Sequence, residues 1–176
     1  TGEGGACLTD DDALAERLRA LRNHGQREPG EFILASGNYR LTEFAAVLGR
    51  AQLPRLSEEI EARRAIHERY QRALAGAFAF QRPPPESACN HQTLGLLLPE
   101  GCARERVLNE LRESGIMCTR LSYALHRIPT LGKHPRLPNA EEIEARGIAI
   151  PCHGGLSARD VEFIVERLLR AASATS

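Results

Sequence analysis

Ser36-Gly37-Asn38-Tyr39-Arg40-Leu41-Thr42-Glu43-Phe44-Ala45-Ala46-Val47-Leu48-Gly49-Arg50-Ala51-Gln52-Leu53 is the stretch around which the chain is organised. Gly37 offers a turn, Asn38 and Arg40 set donors beside it, and Thr42 stands where a helix cap belongs, ahead of an apolar run to Leu53. A helix start flanked by an amide and a guanidinium suits an anion. A loop with a routine cap fits the same residues, so the neighbouring chain has to decide between the two.

Working outward, Gly4-Gly5 precedes Ala6-Cys7-Leu8, which reads as a short strand, and Thr9 to Asp12 supply a cap and an acidic first turn. Leu14, Leu18 and Leu21 then recur at helical spacing up to about His24, with Gly25 as the stop. Residues 26–37 read as a polar loop. Pro54 forces the central helix to stop, kink or pass its proline into the first turn of a second helix, which is expected to run to about Ala77 as a charged connector. Pro83-Pro84-Pro85 stiffens the next loop and marks a boundary.

Beyond it short strands alternate with helices. Strands are expected over 93–98, 116–119 and 148–150. Helices are expected over 104–114 and 141–146. A last helix opens on Ser157 with Asp160 three residues on, the pattern of a capping box. Val161, Ile164, Val165, Leu168 and Leu169 give that helix the clearest apolar face in the chain. The loop over 120–138 concentrates tyrosine and histidine, and Tyr123 and His126 stand out in it as pocket-wall candidates.

Composition narrows the function. Lys+Arg and Asp+Glu each number 23 in 176 residues, so no charge excess points to nucleic acid or an anionic membrane. No apolar run is long enough for a membrane span. The five cysteines have no Cys-x-x-Cys spacing, which suits a reducing compartment, and a cytoplasmic location is expected. No metal site is expected. Cys152 beside His153 could be imagined as a thiol nucleophile, but a catalytic Cys-His pair meets through the fold rather than through adjacency. Gly2-Glu3-Gly4-Gly5 lacks the spacing and lysine of a phosphate loop. His91 reads as a satisfied core or interface histidine. Lys133 is the sole lysine, and the chain opens without methionine, as though cut from something longer.

Taken in order, the segments resemble the DegT/DnrJ/EryC1/StrS family of pyridoxal phosphate-dependent sugar aminotransferases. Thr1-Gly2-Glu3-Gly4-Gly5-Ala6 with Thr9-Asp10-Asp11 is similar to the family's glycine-rich turn and strand. Arg22-Asn23-His24-Gly25 resembles its Arg-x-His-Gly helix end. Gly37-Asn38-Tyr39-Arg40-Leu41 with Ala45-Ala46, Leu48-Gly49 and Gln52-Leu53 resembles its most specific signature. Ile150-Pro151-Cys152-His153, Gly155-Leu156-Ser157 and Asp160-Val161 resemble its closing strand, turn and helix.

The resemblance implies an α/β fold, the C-terminal portion of a fold type I transferase. Residues 1–55 would end the large cofactor-binding domain, 56–85 would form a connecting helix and linker, and 86–176 a small C-terminal α/β domain. It implies pyridoxal 5'-phosphate as cofactor. It also implies transfer of an amino group from an amino-acid donor such as glutamate to a nucleotide-linked keto sugar, in amino sugar biosynthesis. A homodimer sharing its site across the interface is implied too, with Asn38, and Arg40 in the same region, reaching the neighbour's cofactor phosphate. Tyr123 and His126 would lie near the sugar. The family's cofactor-binding lysine would fall upstream of Thr1, and Lys133 sits in the wrong loop to replace it, so no catalytic residue is assigned here and this chain alone is expected to be inactive and poorly soluble. Here the family's aromatic-x-Pro-Leu-His segment reads Tyr-Ala-Leu-His, and aromatics often found near residues 90–94 are absent, which leaves the sugar open. The alternative is a binding or regulatory relative of the same fold without catalysis.

Overall fold

The computed structural model describes residues 2–132 and 134–173. Two compact units divide the chain, Thr1–Leu56 and Ser57–Ser176.

The first unit is built on α1 (Asp12–Arg22) and α2 (Glu43–Gln52). Each starts on the side-chain cap its sequence offers. Asp11 Oδ1 accepts from the Leu14 N–H at 3.0 Å, and Thr42 Oγ1 from the Ala45 N–H at 3.2 Å. The polar loop contains a hairpin that its composition hides, β1 (Gln26–Glu28) paired antiparallel with β2 (Glu31–Phe32). Ala6-Cys7-Leu8 forms no strand; Leu8 is exposed, and the segment has no strand partner among the described residues. Pro54 lies in a 3-10 turn over Leu53–Arg55, where its missing N–H costs nothing.

α3 (Leu56–Ala73) follows and ends four residues before the expected Ala77. Ile66 and Tyr70 on this helix, with Leu74 just past it, are buried in the core of the second unit. That core lies against a four-stranded sheet ordered β3-β4-β6-β5. The strands are β3 (Ala79–Phe80), β4 (Leu94–Leu97), β5 (Thr119–Arg120) and β6 (Gly147–Ile150), and every pairing is antiparallel. Leu94 and Leu96 join the core. Between them Gly95 leaves room for the Leu121 side chain, whose methyls pass 2.7 Å from where a Cβ would stand.

α4 (Arg104–Glu113), α5 (Pro138–Arg146) and α6 (Ala158–Ser173) complete the unit. α4 contributes Val107, Leu108 and Leu111 to the core and α6 contributes Val161, Ile164 and Leu168, each set at the helical spacing read from the sequence. The α6 cap is reciprocal. The Asp160 N–H donates to Ser157 Oγ at 3.2 Å, and the Ser157 N–H donates to Asp160 Oδ2 at 2.8 Å. The Ser157 hydroxyl, which donates to Asp160 Oδ2 at 2.7 Å, and then the Ser157 N–H hold the Asp160 carboxyl below its usual range.

Candidate functional site

At the end of α1 the chain must reverse within two residues, and His24 and Gly25 do so with φ of 58° and 80°. The Gly25 N–H donates to Ala20 O at 2.8 Å, closing the helix end. A Cβ on Gly25 would run into the Leu34 carbonyl, so the position excludes every other residue. The hairpin then returns the chain so that Asn38 forms an antiparallel bridge with Asn23. The His24 N–H donates to Gly37 O and the Tyr39 N–H to Arg22 O, both at 3.0 Å. Two segments read separately in the sequence, Arg22-Asn23-His24-Gly25 and Gly37-Asn38-Tyr39-Arg40, are therefore one structural feature.

Asn38 is exposed, and its side chain is oriented by Arg40. Asn38 Oδ1 accepts from the Arg40 backbone N–H at 3.2 Å and from Arg40 Nε at 3.1 Å. With the oxygen engaged, the amide N–H groups have no partner among the described residues and are available to an anion. Arg40 Nη2 stands 3.4 Å from His24 Nε2, so the guanidinium is braced from both sides. His24 was not singled out in the sequence as a site residue. Its position ahead of Gly25 in a helix-ending turn was the available signal.

Tyr123 and His126 belong to the second unit, in the loop after β5. Tyr123 is exposed, and the Arg120 guanidinium carbon lies 5.0 Å from its ring centroid. Arg120 Nη2 is in turn 3.2 Å from Glu105 Oε1. Hydrogen bonding from Arg104, with Arg120 contributing, holds the Glu105 carboxyl below its ordinary value.

His126 has the opposite character. Its side chain is 6% exposed, and Nε2 lies 3.1 Å from Glu141 Oε1. Nδ1 is buried without a partner. The His126 hydrogen bond, followed by that of Arg136, keeps Glu141 below its ordinary value. Glu144, one turn along α5, accepts from the Ala124 N–H at 3.2 Å and pairs with Arg127 at 3.0 Å. The two glutamates staple the loop to α5. Neither was marked in the sequence, because each meets its partner across 15 to 20 residues of chain.

Cys152 is buried, and burial pushes its thiol above the usual value, away from a reactive thiolate. His91 is stacked on His67 with ring centroids 4.3 Å apart. Among the described residues no group of three or more His, Cys, Asp or Glu side chains converges on a metal position, and no helix is long and apolar enough to cross a membrane. Lys133 lies outside the described residues.

Known proteins are similar to this chain in sequence and in fold. GDP-perosamine synthase of Caulobacter vibrioides is 30% identical over 96% of this chain and 48% of its own length. The dTDP-4-dehydro-2,3,6-trideoxy-D-glucose 4-aminotransferase of Saccharopolyspora spinosa is 29% identical over 97% of this chain and 49% of its own. The crystal structure of the aminotransferase TlmJ from Streptoalloteichus hindustanus superposes with a TM-score of 0.78 at 29% identity, covering 94% of this chain and 46% of that one. The α/β fold expected from the sequence is thus that of solved aminotransferases, and the chain spans about half the length of the curated relatives it matches. The family model for DegT/DnrJ/EryC1/StrS aminotransferases matches residues 1–169, and the chain belongs to that family.

Proposed function

We propose that this chain is part of a cytoplasmic, pyridoxal 5'-phosphate-dependent aminotransferase that moves an amino group from an amino-acid donor, glutamate by expectation, to a nucleotide-linked keto sugar. Relatives named for a GDP-linked and a dTDP-linked sugar support the substrate class. They differ in both nucleotide and sugar, so the class is as far as the reading goes. In this reading residues 1–55 close the large domain, 56–85 connect, and 86–176 form the small domain.

One observation carries the site assignment. Asn38 has its amide oxygen tied to Arg40 and its amide N–H groups without a partner among the described residues. A phosphate dianion needs N–H donors and nearby positive charge, and Asn38 with Arg40 supplies both. These residues fit the cofactor's phosphate, bound across a homodimer interface. When bound, the cofactor supplies the electron sink that amino transfer requires. The chain's own part is to hold it: Asn38 donates, and Arg40 orients Asn38 and adds charge. The lysine that bonds the cofactor is assigned outside residues 1–176, which makes this chain inactive by itself. On the substrate side, exposed Tyr123 presents a ring to the sugar nucleotide. His126 supports that wall by holding the loop through Glu141.

The test is Asn38→Ala in the full-length dimer. Loss of a hydrogen bond to a charged group should weaken cofactor retention roughly tenfold or more, with the circular dichroism spectrum unchanged. Equal cofactor affinity in variant and parent would remove Asn38 from the phosphate site.

A further inference from the structure

The first unit gathers three guanidinium groups around one concavity without a carboxylate partner for any of them among the described residues. Two adjoining cavities have Arg19, Arg22 and Arg40 in common. Glu3 and the backbone at Gly4 and Gly5 help line one of them, while Arg27, Glu16 and Glu28 help line the other. Arg27 is engaged where it stands by two carboxylates, with Nε 2.9 Å from Glu16 Oε1 and Nη1 3.1 Å from Glu31 Oε1. Glu3 and Glu28, one in each wall, are the remaining carboxylates, and neither forms an ion pair with Arg19, Arg22 or Arg40 among the described residues. None of Arg19, Arg22 and Arg40 forms an ion pair with a carboxylate among the described residues.

Arg40 is also held in place, by Asn38 Oδ1 on one side and His24 Nε2 on the other. Arg19 and Arg22 lie three residues apart on the last turn of α1, so they share a face. Like charges gathered this way repel, and an anion with several charged oxygens relieves the repulsion. A guanidinium offers planar paired donors that match phosphate oxygens. A ligand with a single carboxylate has too few oxygens to engage three such forks.

We propose that Arg19, Arg22 and Arg40 form a binding site for a phosphate ester, with Arg19 and Arg22 as ligand contacts additional to Asn38. Two esters have the required chemistry, the diphosphate of a nucleotide-linked sugar and the monophosphate of the cofactor. The choice between them rests on the aminotransferase reading; the anion site itself rests on three guanidinium groups without carboxylate partners that line one concavity.

The experiment is calorimetric titration of the full chain in low-salt buffer with inorganic pyrophosphate, uridine diphosphate and pyridoxal phosphate. The parent is compared with the Arg19→Gln/Arg22→Gln double variant. Saturable pyrophosphate binding is expected, weakened at least about tenfold in the double variant and weakened by added salt. The Arg19→Lys/Arg22→Lys variant, which keeps the charge and loses the fork, should recover part of the affinity. A parallel loss for uridine diphosphate identifies the substrate diphosphate as the natural occupant, and a parallel loss for pyridoxal phosphate identifies the cofactor. Pyrophosphate affinity equal in parent and double variant, or no saturable binding, overturns the site. In the full-length dimer, no turnover with any keto sugar, alongside intact arginine-dependent pyrophosphate binding, would remove the aminotransferase reading and leave the anion site standing.

Discussion

At Gly25 one residue sets the geometry on which the whole Asn38 feature depends. The chain reverses there at φ 80°, and the space a side chain would need is filled by the Leu34 carbonyl. Gly30, in the same unit, has φ 85°, but a Cβ there would meet nothing within 4 Å. The pair therefore separates two costs. Gly30→Ala should lose only the left-handed backbone term, about 1–2 kcal/mol, whereas Gly25→Ala adds a steric clash with a backbone atom that cannot rotate away. We expect Gly25→Ala to exceed Gly30→Ala by more than about 1 kcal/mol in urea denaturation followed by circular dichroism. Equal losses would mean that the return strand shifts to make room and that the Asn23–Asn38 bridge is softer than its geometry indicates. Asn38 is a candidate in the sequence because the family resemblance singles it out; its residue type alone fits a routine capped loop equally well. Its bridge to Asn23 was not legible there, since a hairpin intervenes and the backbone bonds leave no mark on composition.

Among the elements, those that announce themselves locally were readable. Thr42 and the Ser157–Asp160 pair bond to backbone three residues away, so the sequence contains both partners of each bond. α6 was readable because Val161, Ile164 and Leu168 repeat at helical spacing. β1 was not, because Gln26-Arg27-Glu28 has no apolar alternation, and β3 is two residues long. Ala6-Cys7-Leu8 has the composition of a strand but no partner among the described residues, and a strand exists only through its pairing. The contact between α3 and the segment before β4 is likewise invisible in sequence. His67 on α3 lies against His91, and the Phe80 ring makes a T-shaped contact with His67 at 5.8 Å between centroids. Burial first, then the neighbouring His91, lowers the pKa of His67; burial first, then Arg64, lowers that of His91; Glu68 opposes both shifts. A histidine whose pKa is lower in the folded than in the unfolded chain binds fewer protons when folded, so stability rises with pH through that window. The contribution is complete above the ordinary histidine value of 6.5 and is lost as pH falls through the depressed folded values. The thermal midpoint should therefore fall between about pH 7.5 and pH 5, and the His67→Gln/His91→Gln variant should show a shallower fall. Identical slopes would place the pH dependence on other groups.

Across the whole molecule the two units differ in what stabilises them. Of the buried apolar side chains, Ala20 and Ala45 are the two that fall in the first unit among the described residues, while the second unit buries a continuous core from Ile66 to Ala171. The first unit instead exposes Phe44 at 87%, Val47 at 65% and Leu53 at 65%, all from α2 or the turn that follows it. Two buried alanines remove little apolar surface from water, so the free energy that resists opening of this unit is small, whereas each large side chain in the second core contributes roughly 1.5–3 kcal/mol. Local stability follows local burial. In hydrogen–deuterium exchange on this chain alone, amides of α1 and α2 should exchange far faster than those of α4, β4, β6 and α6, and the exposed α2 face should bind an apolar dye. The dye result belongs with the expected poor solubility, since contiguous apolar surface promotes association. Protection of α2 equal to that of α6 in a monomeric sample would mean that the first unit has a source of stability other than apolar burial, and the Asn23–Asn38 bridge with its braced arginine would then be the place to look for it.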